Sequence, residues 1–214
     1  MLAEKLLSGS TGSSTLYVDD VFSTYLYTGN GSTQTINNGI DLSTNGGMVW
    51  TKRRDNVGDH KLIDSARGWT VGSGVGQASP VLLSDLTDAQ RTNTSGSSGP
   101  YDITSVSSTG YSIGPDWNGN GNTNTATYVS WTFRKAAKFF DVVTWTGDGT
   151  GGRGITHSLG SVPGMIILKR TSGAASNWFI GHMSLGWGNT LNFTTDASSV
   201  DTVTFSNTTP VSYT

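Results

Sequence analysis

The chain has 214 residues, of which 13% are charged, with a net charge of −2, no cysteine, and seven each of Trp, Tyr and Phe. A near-neutral chain without a basic run lacks the electrostatic footprint of nucleic-acid binding, and without cysteine it has no disulfide framework and no cysteine-ligated metal. Low charge leaves the surface to Gly, Ser, Thr and Asn, while the aromatic content is too high for a disordered chain.

Residues 1–7, MLAEKLL, are apolar but interrupted by Glu4 and Lys5. The run is too short for a signal-peptide core or a membrane span, so neither secretion nor membrane insertion is expected. Together with the linker-like SGSTGSST at 8–15, it reads as an N-terminal arm, either a docking peptide or a frayed terminus. From residue 16 onward the texture is that of short strands. Met48, Trp50 and Lys52 alternate with Val49, Thr51 and Arg53, and Val129, Trp131 and Phe133 alternate with Tyr128, Ser130 and Thr132. This is the period of a half-buried strand. Further strands are expected near 21–28, 60–65, 101–106 and 110–114, separated by turn residues such as Gly29-Asn30-Gly31 and Asn45-Gly46-Gly47. One short helix is expected over Asp85–Gln90, capped by Ser84. The unbroken apolar run Met165-Ile166-Ile167-Leu168 predicts a strand buried on both faces. Strands are also expected at 177–182, 190–195 and 200–205. The fold class is therefore all-β, with antiparallel sandwich or jelly-roll domains.

Residues 22–53 return in degraded form at 140–170, about 117 residues downstream. Tyr27-Thr28-Gly29-Asn30-Gly31 aligns with Trp145-Thr146-Gly147-Asp148-Gly149, Ile36 with Ile155, Leu42 with Leu159, and Met48 and Lys52-Arg53 with Met165 and Lys169-Arg170. The organisation expected is an arm over 1–15, a first sandwich over 16–138 and a related second sandwich over 139–214. The second copy has no counterpart of the strands at 111–114 and 127–134. Its sheet would keep an open edge, so either a longer gene product or another chain is expected to supply the missing strands.

Motifs that suggest chemistry read as structure. Gly147, Gly149 and Gly152 match G-x-G-x-x-G, and Gly110, Ser112 and Gly114 match G-x-S-x-G. Neither is followed by the helix that a dinucleotide site or a nucleophile elbow requires. Glu4 is the only glutamate, so a glycosidase pair would have to come from Asp64, Asp116, Asp141 or Asp148, and no spacing singles out two of them. His60, His157 and His182 are too scattered for a metal set, and no metal or cofactor is expected. The Asn-rich loop at 118–125 offers carbonyl oxygens but lacks the carboxylate series of a calcium loop, and it reads as a flexible turn. Trp117 and Trp187 lie in Gly/Asn loops, where an indole either stacks on a sugar ring or folds back as a plug.

Three stretches, DDVFSTYLYTGNGSTQTINNGIDL at 19–42, SWTFRKAAKFFDVVTWTG at 130–147 and HSLGSVPGMIILKR at 157–170, followed by Asn177-Trp178, resemble tail-fibre-like virion proteins of marine bacteriophages. The likeness is strongest to T7-like podoviruses of cyanobacteria and other marine bacteria. It covers roughly residues 18–205. It implies repeated concanavalin A-like or SPRY-like β-sandwiches in a virion tail appendage concerned with host attachment, usually an oligomer, and carries over no catalytic residue. The expectation is thus a non-enzymatic, particle-proximal fibre component, docked on a tail or adaptor protein through its arm and closing as a homotrimer. The alternatives are a lectin-like module reading host glycan through Trp117 or Trp187, and a glycan depolymerase built on an Asp pair.

Overall fold

The computed structural model describes residues 15–69, 79–92, 102–115, 120–193 and 212–213. Strands β1 (Phe22–Thr28), β2 (Gln34–Asn37), β3 (Gly47–Arg53), β4 (Lys61–Asp64), β5 (Pro80–Leu83), β6 (Arg91–Thr92), β7 (Ile103–Ser107), β8 (Gly110–Ile113) and β9 (Thr127–Arg134) form two antiparallel sheets. The large sheet runs β1-β9-β3-β4-β5-β6 and the small one β2-β8-β7. Alternation along each strand decides which side chains lie between them. Val49, Ile63, Val81 and Leu83 from the large sheet meet Ile36, Ile103, Tyr111 and Ile113 from the small one, and Ile40 and Leu42 complete this buried layer. Each such side chain contributes roughly 1.5–3 kcal/mol by leaving water. The chain is an all-β antiparallel sandwich.

The strands expected near 21–28, 60–65, 101–106 and 110–114 are β1, β4, β7 and β8. The helix expected over 85–90 is absent. That backbone is engaged elsewhere: the Ser176 amide donates to the Thr87 carbonyl, and the Gln90 amide donates to Thr171. The one α-helix among the described residues is instead α1 (Leu42–Asn45). Asp41 caps it by accepting from the Ser43 and Thr44 amides at 3.0 and 3.1 Å. Gly46 closes it at φ 71°, a backbone that only glycine adopts without strain.

Beyond β9, β10 (Ile155–Thr156) pairs with β13 (Ser212–Tyr213), and β11 (Met165–Leu168) pairs with β12 (Phe179–His182). The β11–β12 hairpin lies on the outer face of the large sheet. There Trp178 packs with Met48, Leu62 and Leu82, and Trp50, Phe133, Phe140 and Ile167 border the cluster. The large sheet therefore carries apolar side chains on both faces. β11 itself is not buried on both faces as its sequence suggested: Met165 is 55% exposed and the other three residues are half-buried. A two-stranded hairpin has only one face covered by the sheet beneath it. Of the strand expected at 190–195, Leu191 bridges to Ile180, and residues 194–195 lie outside the described residues. The strand expected at 200–205 lies outside the described residues.

Candidate functional site

Two places concentrate polar or aromatic side chains. The first is one end of the sandwich, where residues 120–126 meet the segment that follows β1. The Tyr27 hydroxyl donates to the Gly121 carbonyl at 2.7 Å. The Gly29 amide donates to Ala126, and the Thr125 amide returns a bond to the Gly29 carbonyl at 2.9 Å. A Cβ on Gly29 would sit 2.2 Å from the Thr123 carbonyl oxygen, so only glycine fits. Asn122 is fully buried at the centre. Its Oδ1 accepts from the Asn30 amide at 3.0 Å and from Gln34 Nε2 at 2.8 Å. Its Nδ2 donates to the carbonyls of Ser32 and Gly114 at 2.5 and 2.8 Å. Asn120 Nδ2 donates to Asp59 at 3.2 Å. Of the loop read as a flexible turn, residues 120–125 are tied into a hydrogen-bonded network, and the Asn122 side-chain oxygen already serves two donors. Asn122→Ala would strand several buried partners, and we expect a loss of about 3 kcal/mol in denaturant unfolding; a loss below about 1 kcal/mol would contradict this role.

Beside this loop, Lys61 on β4 reaches across the sandwich to Asp102, which immediately precedes β7, at 2.7 Å. Both side chains are nearly buried, 7% and 8% exposed. The pair therefore bolts the large sheet to the small one.

The second place is the outer face of the large sheet. Trp50 and Trp131, cross-strand neighbours on β3 and β9, lie edge to face at 5.9 Å. Phe193 contacts Trp50 at 5.8 Å, and His60 lies 6.5 Å away. Loss of hydration lowers the His60 pKa and keeps its imidazole neutral near pH 7. Phe133 gathers Phe22 at 4.9 Å and Phe140 at 5.3 Å. Ile167, Trp178 and Phe193 pack on the β3 and β4 side of this face, while on β1 Leu26 is 57% exposed.

Among the described residues, those singled out from the sequence are not brought together. Trp117 and Asp116 lie outside the described residues. Trp187 is half-buried, just after the 3-10 turn Met183–Leu185. Asp64 is buried against Arg67. Asp141 is raised by burial, but bonds from Lys135 and Ser158 outweigh this and leave its pKa below the ordinary carboxylate value. Asp148 is exposed, and the Thr150 amide, with Arg153 nearby, lowers its pKa. His157 and His182 each accept a bond from an amide two residues on. Among the described residues, no group of three His, Cys, Asp or Glu could hold a metal. The G-x-G-x-x-G glycines occupy a surface loop before the two-residue β10, and Ser112 of G-x-S-x-G lies within β8 sharing a hydrogen bond with Thr35. No described helix is long and apolar enough to cross a membrane.

No curated protein and no solved structure matches the chain. One family model, a domain of unknown function designated DUF7483, matches residues 18–214. The chain belongs to the DUF7483 family.

Proposed function

We propose that the chain is a non-enzymatic structural module of a bacteriophage tail fibre that supports attachment to the host cell. The packing of the β11–β12 hairpin on the outer face of the preceding sandwich supports this reading. It joins successive copies through an apolar seam, which gives stiffness along a shaft where a flexible linker would give none. The stretches that carry the phage resemblance include the end of β9 from Ser130 and all of β11, which contribute Phe133 and Ile167 to that seam, together with Phe140. A surface of short neutral side chains suits a shaft that must not adhere to itself nonspecifically along its length.

The test is adsorption competition. Purified chain is added to host cells in excess, and the fraction of phage that then attaches is counted. A shaft segment is expected to leave attachment unchanged, while immunogold labelling with antibody to the chain decorates the tail. Blocked attachment would move receptor contact into this chain and favour the lectin-like reading. Particles without label would reject the virion assignment.

A further inference from the structure

β1 ends the large sheet, and its geometry identifies which backbone groups face outward. The Arg134 amide donates to the Val21 carbonyl, and the Gly29 amide donates to Ala126, each at 2.8 Å. In the β1–β9 register these are opposed pairs, as are Ser23 with Thr132, Tyr25 with Ser130 and Tyr27 with Tyr128. Residues in an antiparallel ladder alternate between exchanging both bonds with the neighbour and directing both groups away. The odd-numbered residues of β1 thus bond to β9, and Phe22, Thr24, Leu26 and Thr28 turn their amides and carbonyls to the open edge. Of these groups, Gln34 Nε2 reaches the Thr28 carbonyl at 3.2 Å.

Edges of this length are ordinarily blunted by charge, proline, a bulge or a covering segment. The strand Phe22–Thr28, FSTYLYT, has no charge and no proline. Its register with β9 runs unbroken over all seven residues. No described element covers its edge.

We infer that β1 is an interface that pairs antiparallel with β1 of a second copy of this chain, making one continuous sheet across a two-fold axis. This inference does not depend on the tail-fibre reading. Pairing centred on Tyr25 overlaps the whole strand and sets Phe22 opposite Thr28 and Thr24 opposite Leu26 of the other copy. All four are outward-bonding residues, so about eight backbone hydrogen bonds form. The same register covers the exposed Leu26 with the partner's Thr24 and brings the two Tyr25 rings side by side. It also places Asp19 and Asp20 of one copy against the uncharged Gly29-Asn30-Gly31 turn of the other, so no like charges meet. The surface is complementary to itself, as a two-fold contact requires.

Thr24→Pro removes an outward-facing donor while leaving the β1–β9 bonds intact, the one place in a sheet where proline is tolerated. Leu26→Lys adds the charge that natural edges carry and leaves every backbone donor in place. Sedimentation of the full chain is expected to give twice the 22.5 kDa of one chain. Each variant should raise the dissociation constant by at least about tenfold with an unchanged circular dichroism spectrum. Hydrogen exchange adds a residue-level measure: the Phe22, Thr24 and Leu26 amides should slow as concentration rises, and the Tyr25 amide should be slow throughout. A monomer at high concentration, a trimer unaffected by either variant, or slow exchange of these amides in a monomer would each overturn the two-fold pairing. The last result would mean that another part of the same chain covers the edge.

Discussion

Lys61→Met is expected to lower the unfolding free energy of the sandwich by about 3–5 kcal/mol, measured in urea with tryptophan fluorescence as the signal. Lys61 and Asp102 meet at 2.7 Å between the two sheets, where water reaches little of either side chain. Their attraction does little more than offset the hydration each has lost, but removing one partner leaves the other charged group buried alone. Asp102→Asn should show a related loss. It preserves the left-handed backbone at residue 102, φ 57°, which Asn tolerates better than other side chains. The double variant should cost clearly less than the two single changes together, because no orphaned charge remains. Losses under about 1 kcal/mol for both single variants would mean that the pair is solvated and does not bolt the sheets together.

Trp178→Ala is expected to loosen the β11–β12 hairpin from the large sheet. The indole is 2% exposed, and its Nε1 donates to the carbonyls of Leu83 and Leu86, each at 3.0 Å. Lys169 crosses its ring at 5.7 Å from the centroid and donates to Thr87 and Ser176, so the same lysine staples the hairpin to the segment after β5. A buried tryptophan truncated to alanine costs about 3–5 kcal/mol. Here the cost falls mainly on the seam between the hairpin and the large sheet. Limited proteolysis should therefore cut the variant between β9 and β12 long before the wild type, while the sandwich of β1–β9 survives. An unchanged digestion pattern would show that the hairpin does not depend on this contact, and would remove the main support for a stiff joint.

How far the sequence anticipates this structure depends on whether a feature is local. β3 and β9 follow from strict alternation, and β1, β4, β7 and β8 from apolar runs bounded by turn residues. The helix expected over 85–90 does not form: a serine followed by Asp85 resembles a cap, but the backbone after it bonds to residues 171 and 176, far along the chain. The true cap, Asp41 before Leu-Ser-Thr-Asn-Gly, was a signal available in the sequence. Asn122 carried no such signal: its role depends on Asn30, Ser32 and Gln34, brought to it by the pairing of β1 with β9. The outer aromatic face was half legible. Trp50, Trp131 and Phe133 clearly share a periodicity, but alternation alone does not say that the second face of a sheet is also covered. The loop setting singles out Trp117 and Trp187, whereas Trp178, the most deeply buried tryptophan among the described residues, lies at the start of the stretch 177–182 that reads only as one more strand.

The place of β1 in the large sheet also determines when the sandwich can form. Its partner is β9, so Phe22 waits for Phe133, made roughly 110 residues and about 5–20 s of translation later. β3 and β4, by contrast, pair as soon as both have emerged. β1 therefore joins this sheet only once β9 is in place, long after it is synthesised. Refolding from denaturant should be slow for a domain of this size, in the millisecond-to-second range of all-β topologies dominated by distant contacts. Until β9 arrives, the nascent chain holds an uncharged Phe-Ser-Thr-Tyr-Leu-Tyr-Thr segment in solution, which favours assembly at low chain density on the ribosome.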